Sequence, residues 1–326
     1  MHPIVTRRAA ITVGAALIAA PALAQPYCDL GLPGHAKGPL VWRDYDQTEL
    51  DAAYDQEFYQ PHTEAVNARL YARSFDLRLR RGYPDRARYG EGPHEGMDIY
   101  KAAPPGGPVF VFVHGGVWLH LDASSAGFAA EALLDRGASF VALDFAPVDE
   151  LDGDLGRMAD QVRRGIAWVV RNAASFGGDA GRVYVGGHSS GGHLAAVALT
   201  TDWGDHDLPP DAVKGGLLMS GLYDLEPVRL SWRRRFIAFT DAMEDAMSPQ
   251  RHLDRITVPV TVSYGTRETP EFQRQAKEFA AALETAGNAV RLIAGQHYFH
   301  QDMWESLGDP YGPNGRTLLA MMGLSS

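Results

Sequence analysis

Five short apolar segments recur along the chain, each followed by glycine or polar residues. They lie at 108–113, 182–186, 214–220, 258–264 and 289–293. The first runs from Pro108 to Val113 without a polar residue, which is typical of a central strand buried on both faces. Segments with helical patterns separate them, at 192–199 and at 270–286. The alternation predicts the α/β fold class, with a mostly parallel central sheet and helices on both faces.

The flanking segments have other patterns. Residues 25–40 are rich in glycine and proline, and we expect them to be extended. From Thr48 to Tyr71, apolar residues recur at helical spacing and predict one amphipathic helix. The polar stretch 227–253 predicts a helical segment between strands, with Arg233, Arg234 and Arg235 on a solvated helix face. We expect a single domain over 41–326.

The first 24 residues have the pattern of a signal peptide. A basic start containing Arg7 and Arg8 precedes an apolar run of 12 residues, and Pro21-Ala22-Leu23-Ala24 supplies a small-x-small cleavage pattern. The run is too short to span a bilayer, so no stable membrane anchor is expected. Thr6-Arg7-Arg8 fits a twin-arginine address. We therefore expect export, to the periplasm or the medium of a bacterium.

Gly187-His188-Ser189-Ser190-Gly191 stands between a predicted strand and a predicted helix. A G-x-S-x-G sequence in that context is typical of a nucleophile elbow, a strained turn that holds the serine oxygen above the sheet. The N-terminus of the following helix is then directed at any negative charge that develops there. Alone, the pentapeptide could arise by chance in so glycine-rich a chain. Its context predicts that Ser189 is a nucleophile.

His114-Gly115-Gly116 directly follows the first apolar strand. An oxyanion that forms during acyl transfer needs fixed N–H donors, and successive glycines present them without blocking side chains. Gly115 and Gly116, with the residue after the nucleophile, Ser190, are therefore candidates for an oxyanion hole. The alternative is an ordinary glycine turn between a strand and a loop.

An acid should follow the strand 258–264, and two carboxylates compete for that place. Pro270 suits the first turn of a helix. Glu271 then lies inside that turn, where the helix dipole alone explains an acidic residue. Glu268 lies in the loop and is the preferred acid. Asp224, after the preceding strand, is a third candidate, but we expect its carboxylate to bind loop N–H groups.

A histidine base should follow the last strand, 289–293. His297 comes shortly after it and is preferred, whereas His300 falls in the entry turn of the next helix. His193 lies one helical turn beyond Ser189, and we expect it to pack in the interior. The chain has no H-E-x-x-H or paired-cysteine spacing, so we expect neither a metal site nor a cofactor.

These motifs resemble the kynurenine formamidase (arylformamidase) branch of the α/β-hydrolases, close to the hormone-sensitive-lipase-like esterases. The resemblance rests on four segments: His114–Trp118, Gly187–Leu194, Ser220–Pro227 and Pro270–Gln275. It covers most of the chain from Leu40 onward and implies the α/β-hydrolase fold. Position by position, it places the nucleophile on Ser189, the acid on Glu268 and the base on His297. Two departures are a glutamate where the branch usually has aspartate, and the unusual flanks of His297.

The resemblance implies a serine hydrolase that cleaves a small carboxylic ester through an acyl-enzyme, without a cofactor. Export favours an ester substrate over an aryl amide, and arylformamidase is the alternative. A binding protein that has kept the triad is an alternative from another class. The candidate pocket residues are Trp118, His188, Tyr223 and Phe299, although Trp118 could equally hold the glycine loop by packing. In this branch N-terminal helices cover the site, so 41–75 is either a lid or a helix packed on the sheet's edge.

The charge narrows the range of partners. The chain carries a formal net charge of −10, which argues against binding nucleic acid or anionic membranes. Its single cysteine, Cys28, cannot form an internal disulfide. The sequence leaves the oligomeric state and the physiological substrate open.

Export can be tested at the N-terminus of the protein purified from its own cells. We expect it to begin at Gln25, and replacement of Arg7 and Arg8 by lysine should block export if the route is twin-arginine. Mass spectrometry of the N-terminal peptide measures both. An intact Met1 on the active cellular enzyme would contradict export.

Overall fold

The computed structural model describes Leu32 and residues 34–324. The predicted signal peptide over 1–24 and residues 25–31 of the predicted extended segment lie outside the described residues. The described part of that segment contains no helix or strand before Leu40. No helix among the described residues combines the length and the apolar composition needed to cross a bilayer.

Eight strands form one twisted sheet and two form a small ribbon. The strands are β1 (Leu40–Trp42), β2 (Tyr45–Asp46), β3 (Asp85–Arg88), β4 (Gly96–Tyr100), β5 (Gly107–Val113), β6 (Ser139–Leu143), β7 (Gly178–His188), β8 (Gly216–Met219), β9 (Val260–Gly265) and β10 (Val290–Gly295). The sheet order is β10-β9-β8-β7-β5-β6-β4-β3. From β10 to β6 all neighbours are parallel, whereas β4 and β3 each run antiparallel to the preceding strand. The predicted mostly parallel sheet is confirmed.

Helices connect the strands and cover the sheet. They are α1 (Gln47–Ala53), α2 (Gln56–Tyr59), α3 (Thr63–Arg81), α4 (Ala130–Leu134), α5 (Leu155–Asn172), α6 (Ser190–Leu199), α7 (Glu226–Leu230), α8 (Asp241–Ala246), α9 (Pro270–Thr285), α10 (His300–Glu305) and α11 (Pro313–Met321). The two helices predicted after the elbow and after β9 correspond to α6 and α9. The segment 227–253 contains most of α7, all of α8 and short 3₁₀ turns.

Strand β5 shows why the sheet is buried on both faces. Side chains alternate along a strand, so Val109, Val111 and Val113 belong to the apolar cluster on one face. Phe110 and Phe112 belong to the cluster on the other. All five are fully buried. A continuous apolar run is therefore what this strand requires, and it places the C-terminal end of β5 at the centre of the molecule.

The single helix predicted from Thr48 to Tyr71 is wrong, because the structure has three helices there. Helix α1 begins with a capping box, in which Asp46 accepts a hydrogen bond from the N–H of Glu49 and Glu49 accepts one from the N–H of Asp46. Pro61 stands between α2 and α3. A proline inside a helix removes a backbone donor and clashes with the preceding turn, so one helix could not continue through it.

Glu271 has hydrogen-bond partners in addition to the dipole of its helix. Its carboxylate is fully buried and accepts hydrogen bonds from Nε and Nη2 of Arg274, both at 2.7 Å. The hydroxyl of Tyr54 donates to it at 3.2 Å. The expectation that the dipole alone explains Glu271 is wrong, since Glu271 forms a buried ion pair within α9, and its hydrogen bond from Tyr54 joins α9 to the end of α1.

Replacing Glu271 by glutamine should therefore destabilise the fold. It leaves Arg274 buried without its main partner, and we expect the free energy of unfolding to fall by about 3 kcal/mol. Glu278→Gln is the matched control. Glu278 is the other partner of Arg274, and the Glu278 side chain is 41% exposed. Loss of an exposed ion pair costs under ~1 kcal/mol. Urea unfolding measures both variants, and equal effects would contradict the importance of burial.

Candidate active site

Ser189 occupies a tight turn between β7 and α6. Its backbone has φ 58° and ψ −125°, a conformation that residues other than glycine rarely adopt. The turn leaves no room for side chains on either side. A Cβ on Gly187 would overlap the carbonyl oxygen of Gly191, and one on Gly191 would overlap that of Val113. The two glycines of the motif are thus required by backbone contact, and the elbow forms as the sequence predicts.

The glycine loop after β5 lies against this turn. A Cβ on Gly115 would lie 3.2 Å from the Cβ of Ser189 and 2.9 Å from the oxygen of His188. Gly116 has φ +93°, and a Cβ there would overlap the oxygen of His120. Within the described part of the chain, the N–H groups of Gly115 and Gly116 have no hydrogen-bond acceptor. Ser190 is the first residue of α6, so its N–H has no acceptor within the helix.

Trp118 fastens the glycine loop to the elbow helix. Its backbone N–H donates to Oγ of Ser190 at 3.1 Å, and its indole N–H donates to Nδ1 of His193 at 3.2 Å. The other ring nitrogen of His193 donates to the oxygen of Met247 at 2.8 Å. Burial lowers the pKa of His193 to about 4, so the ring is neutral. The expectation that His193 packs in the interior is confirmed, and Trp118 has the packing role.

The structure pairs Glu268 with His300. Nδ1 of His300 lies 2.6 Å from Oε1 of Glu268, and both side chains are buried. The other carboxylate oxygen, Oε2, accepts a hydrogen bond from the N–H of Gly265 at 3.1 Å. His300 is the first residue of α10, and it lines the same cavity as Ser189. Of the two candidate acids, Glu268 is therefore the one that orients an imidazole.

His297 is elsewhere, which corrects its predicted place beside Glu268. It is exposed, has φ 64°, and its N–H donates to Oγ1 of Thr266. Its ring faces a separate surface groove that is not shared with Ser189. A sequence signal for the histidine that contacts Glu268 was present. His300 precedes the apolar residues Met303 and Trp304 by three and four positions, which places it on the buried face of α10.

Burial sets the protonation of the pair. It lowers the pKa of His300, and the charge of Arg233 acts in the same direction, so the imidazole is neutral at pH 7. Burial raises the pKa of the Glu268 carboxyl, while the hydroxyl of Ser220 and the N–H of Gly265 oppose that rise. With Nδ1–H donating to Glu268, Nε2 of His300 keeps a lone pair. This is the tautomer that a general base needs.

A cavity of about 450 Å³ opens above Ser189. Its wall includes Gly116, His188, Arg233 and His300. His188 is therefore correctly predicted as a lining residue, with its Nε2 bound to the backbone oxygen of His300 at 3.0 Å.

The other three predicted pocket residues do not line this cavity. Trp118 is buried behind the glycine loop. Tyr223 is fully buried, with its ring stacked on that of Phe279 at 4.2 Å. Phe299 packs against the ring of His62. The three aromatic rings therefore lie in the core or against a different surface.

The N-terminal segment forms part of the cavity wall. Tyr54 and Asp55, between α1 and α2, line it together with Gln56 of α2 and Asn67 of α3. Residues within 41–75 thus cover the cavity, as one of the two interpretations expects. That the segment opens as a lid stays a prediction.

The arginine run 233–235 is only partly on the surface. Arg234 and Arg235 are exposed, but Arg233 is 2% exposed and lies on the cavity wall. The expectation of a solvated helix face is wrong for Arg233, because the run forms a 3₁₀ turn, Trp232–Arg235, whose first residues turn inward. Sequence reasoning missed this residue, and the adjoining Ser231-Trp232 was the available sign of a buried turn.

Two further groups have structural explanations. Oδ1 of Asp224 accepts a hydrogen bond from the N–H of Glu226 at 3.2 Å, as expected for a loop-binding carboxylate. Among the described residues, one cluster has the spacing of metal ligands: His35, Asp46 and Glu49. Its two carboxylates form the capping box of α1, and Lys37 pairs with Glu49 at 2.7 Å. Those contacts account for the cluster.

Known proteins resemble this chain over most of its length. Kynurenine formamidase of Danio rerio is 31% identical over 301 residues, which is 87% of this chain and 99% of that protein. This chain belongs to the esterase and kynurenine formamidase branch of the α/β-hydrolases. A family model described as BD-FAE matches residues 97–209.

More distant relatives agree with that branch. The isoprenylcysteine alpha-carbonyl methylesterase ICME of Arabidopsis thaliana is 26% identical over 247 residues, or 68% of this chain and 57% of that protein. The crystal structure of a putative thioesterase from Silicibacter sp. TM1040 has a TM-score of 0.73 at 24% identity. The match covers 84% of this chain and 99% of that one. This structural likeness concerns the fold, and the chain is a hydrolase of the esterase or formamidase kind.

Proposed function

We propose that this α/β-hydrolase is a serine hydrolase that forms an acyl-enzyme on Ser189, with His300 as base and Glu268 as the acid that orients it. The observation that carries the proposal is the 2.6 Å contact between Glu268 and His300 on the cavity that also holds the strained Ser189. His300 replaces the base expected from the sequence.

The residues then act in a fixed order. Ser189 Oγ attacks the carbonyl carbon of the substrate while Nε2 of His300 takes the serine proton. Glu268 stabilises the resulting imidazolium through Nδ1–H. The N–H groups of Gly115, Gly116 and Ser190 stabilise the oxyanion of the tetrahedral intermediate. His300 next donates its proton to the leaving group, and water repeats the sequence on the acyl-enzyme.

The substrate is a small carboxylic ester or an activated aryl amide. Both suit a cavity of about 450 Å³. A specific observation favours the formamide of an aromatic amine as the second candidate. The match to the Danio rerio kynurenine formamidase spans 99% of that protein, whereas the match to the plant methylesterase spans 57% of it. Hydrolysis rates on short nitrophenyl esters and on N-formyl-kynurenine separate the two substrates.

The N-terminal pattern of residues 1–24 supports a second proposal, that the hydrolase acts outside the cytoplasm. Activity outside the cytoplasm would favour an ester substrate, whereas activity inside the cell would favour the formamide.

The nucleophile is tested by Ser189→Ala. We expect loss of covalent labelling by a fluorophosphonate and a fall in kcat of roughly 10⁴-fold or more, with the remainder due to the oxyanion donors and binding. Peptide mapping should place the label of the wild-type protein on Ser189. Turnover within tenfold of wild type would overturn the serine mechanism. A folded wild-type protein without label or turnover would favour a binding protein.

The base is tested by comparing two histidines three residues apart. His300→Ala should lower kcat/KM by roughly 10³- to 10⁴-fold, because the proposed acceptor of the serine proton is lost. His297→Ala is the matched control, and its exposed ring predicts a change below about threefold. Glu268→Gln should lower kcat/KM about as much as His300→Ala, since an amide can favour the wrong tautomer of the His300 imidazole. Greater loss at His297 than at His300 would contradict the assignment.

A further inference from the structure

Arg233 is a buried cation on the wall of the Ser189 cavity. Arg233 is 2% exposed. Its backbone N–H donates a hydrogen bond to Oγ of Ser231, two positions earlier, at 3.3 Å. Its guanidinium lies over four aromatic rings, at 5.4 to 5.8 Å from their centroids. They belong to Tyr54, Trp118, Trp232 and Phe272. Such contacts hold a positive charge away from water without neutralising it.

The guanidinium has more donors than the protein uses. Nη2 donates to the backbone oxygen of Tyr54 at 2.9 Å. Nε and Nη1 have no hydrogen-bond partner in the described part of the chain. Nor does any described carboxylate lie within 4.0 Å of Arg233. Burial lowers the pKa of Arg233 to about 10, and the charge of Asp55, which is exposed, opposes that fall. Arg233 is therefore charged at pH 7.

Buried charges without a partner are costly, and folded proteins pair them with an opposite charge or with several hydrogen bonds. One carbonyl and four rings leave that requirement incomplete at Arg233. An anion that enters the cavity would complete it with charge-assisted hydrogen bonds, the strongest kind that a guanidinium makes.

Other polar groups on the same wall are also without partners. Oδ1 of Asn67 and Oε1 of Gln301 are buried and accept no hydrogen bond from any described residue. Both residues line the cavity. A pocket for a plain alkyl chain would have apolar groups in these places, so the wall is suited to a polar substrate.

We propose that Arg233 is the specificity residue of this cavity and binds a carboxylate carried by the substrate. The inference rests on the proposed serine hydrolase function and names its substrate class: esters or amides that carry one carboxylate in addition to the bond that is cleaved. Long-range attraction does not supply this preference, because the chain's net charge is −10. The preference arises from one buried contact.

Binding of that carboxylate should also assist the chemistry. The charge of Arg233 disfavours a proton on His300, yet His300 must become an imidazolium when it takes the serine proton. A carboxylate on Arg233 offsets that charge at the moment the imidazolium forms. Carboxylate substrates should therefore show a higher kcat as well as a lower KM than neutral substrates of the same shape.

The test uses two pairs of substrates that differ only in the carboxylate. For the acyl side, the nitrophenyl monoester of succinate is compared with the nitrophenyl ester of 4-methylpentanoate, which has the same shape. For the leaving group, N-formyl-kynurenine is compared with the same compound carrying a primary carboxamide in place of the carboxylate. In at least one pair the wild-type protein should prefer the carboxylate by on the order of 10- to 100-fold in kcat/KM.

Variants then show whether Arg233 causes the preference. Arg233→Gln should bring the kcat/KM ratio of carboxylate to neutral substrate close to one, because a neutral amide cannot make the charge-assisted hydrogen bonds of a guanidinium. Arg233→Lys should restore part of the preference. Arg235→Gln makes the same change of charge in the same turn at an exposed position, and the wild-type ratio should persist. Fluorophosphonate labelling counts active sites, so that ratios are compared on folded enzyme.

The outcomes separate this inference from the proposed function. Neutral esters that are cleaved through Ser189 without any preference for carboxylates would overturn the role of Arg233 and leave the serine mechanism intact. The same follows if Arg233→Gln keeps the wild-type ratio. No labelling and no turnover on any substrate would overturn the mechanism itself. If Arg233→Gln does not fold, the wild-type ratios and Arg233→Lys decide, and ratios near one in both pairs overturn the proposal.

Discussion

The close approach of three backbone segments around Ser189 is the constraint on which the site depends. The end of β7, the start of α6 and the loop after β5 touch through Gly187, Gly191 and Gly115, where any side chain would meet backbone atoms. This contact holds Ser189 in its strained conformation and places the N–H groups of the glycine loop beside it. Strain of this kind persists only where surrounding structure over-determines it.

The surrounding structure does so through a series of buried contacts. Strand β5 is buried on both faces, which fixes the point where the glycine loop begins. Trp118 then joins that loop to α6 by two hydrogen bonds, through Ser190 and His193. His193 is in turn bound to the backbone at Met247. Each of these side chains is buried and neutral, so the support of the site does not depend on the protonation of exposed groups.

Unlike these neutral side chains, two arginines near the site are buried as charged groups. Glu271 and Arg274 satisfy each other in the interior within α9, and the hydroxyl of Tyr54, which donates to Glu271, joins this pair to the end of α1. Arg233 also lies against the ring of Tyr54, but none of the described carboxylates pairs with it. One buried arginine is therefore structural, whereas the other keeps hydrogen-bonding capacity in a cavity beside the nucleophile. The contrast between the two is the reason to connect Arg233 with substrate.

The sequence by itself determined the parallel sheet, the elbow at Ser189 and the choice of Glu268, because each depends on local pattern: apolar runs, glycine spacing and a proline that starts a helix. It also contained two signals that the predictions did not use. These are Pro61, which separates α2 from α3, and the apolar residues that put His300 on the buried face of α10. Only the tertiary structure decided between His297 and His300, because the loop 296–299 sets which ring faces the carboxylate. Likewise, only packing revealed that Arg233 lies inside while Arg234 and Arg235 lie outside. Three identical side chains in a row show no alternation of polar and apolar residues. Which of them is buried depends on elements that are far apart in the chain.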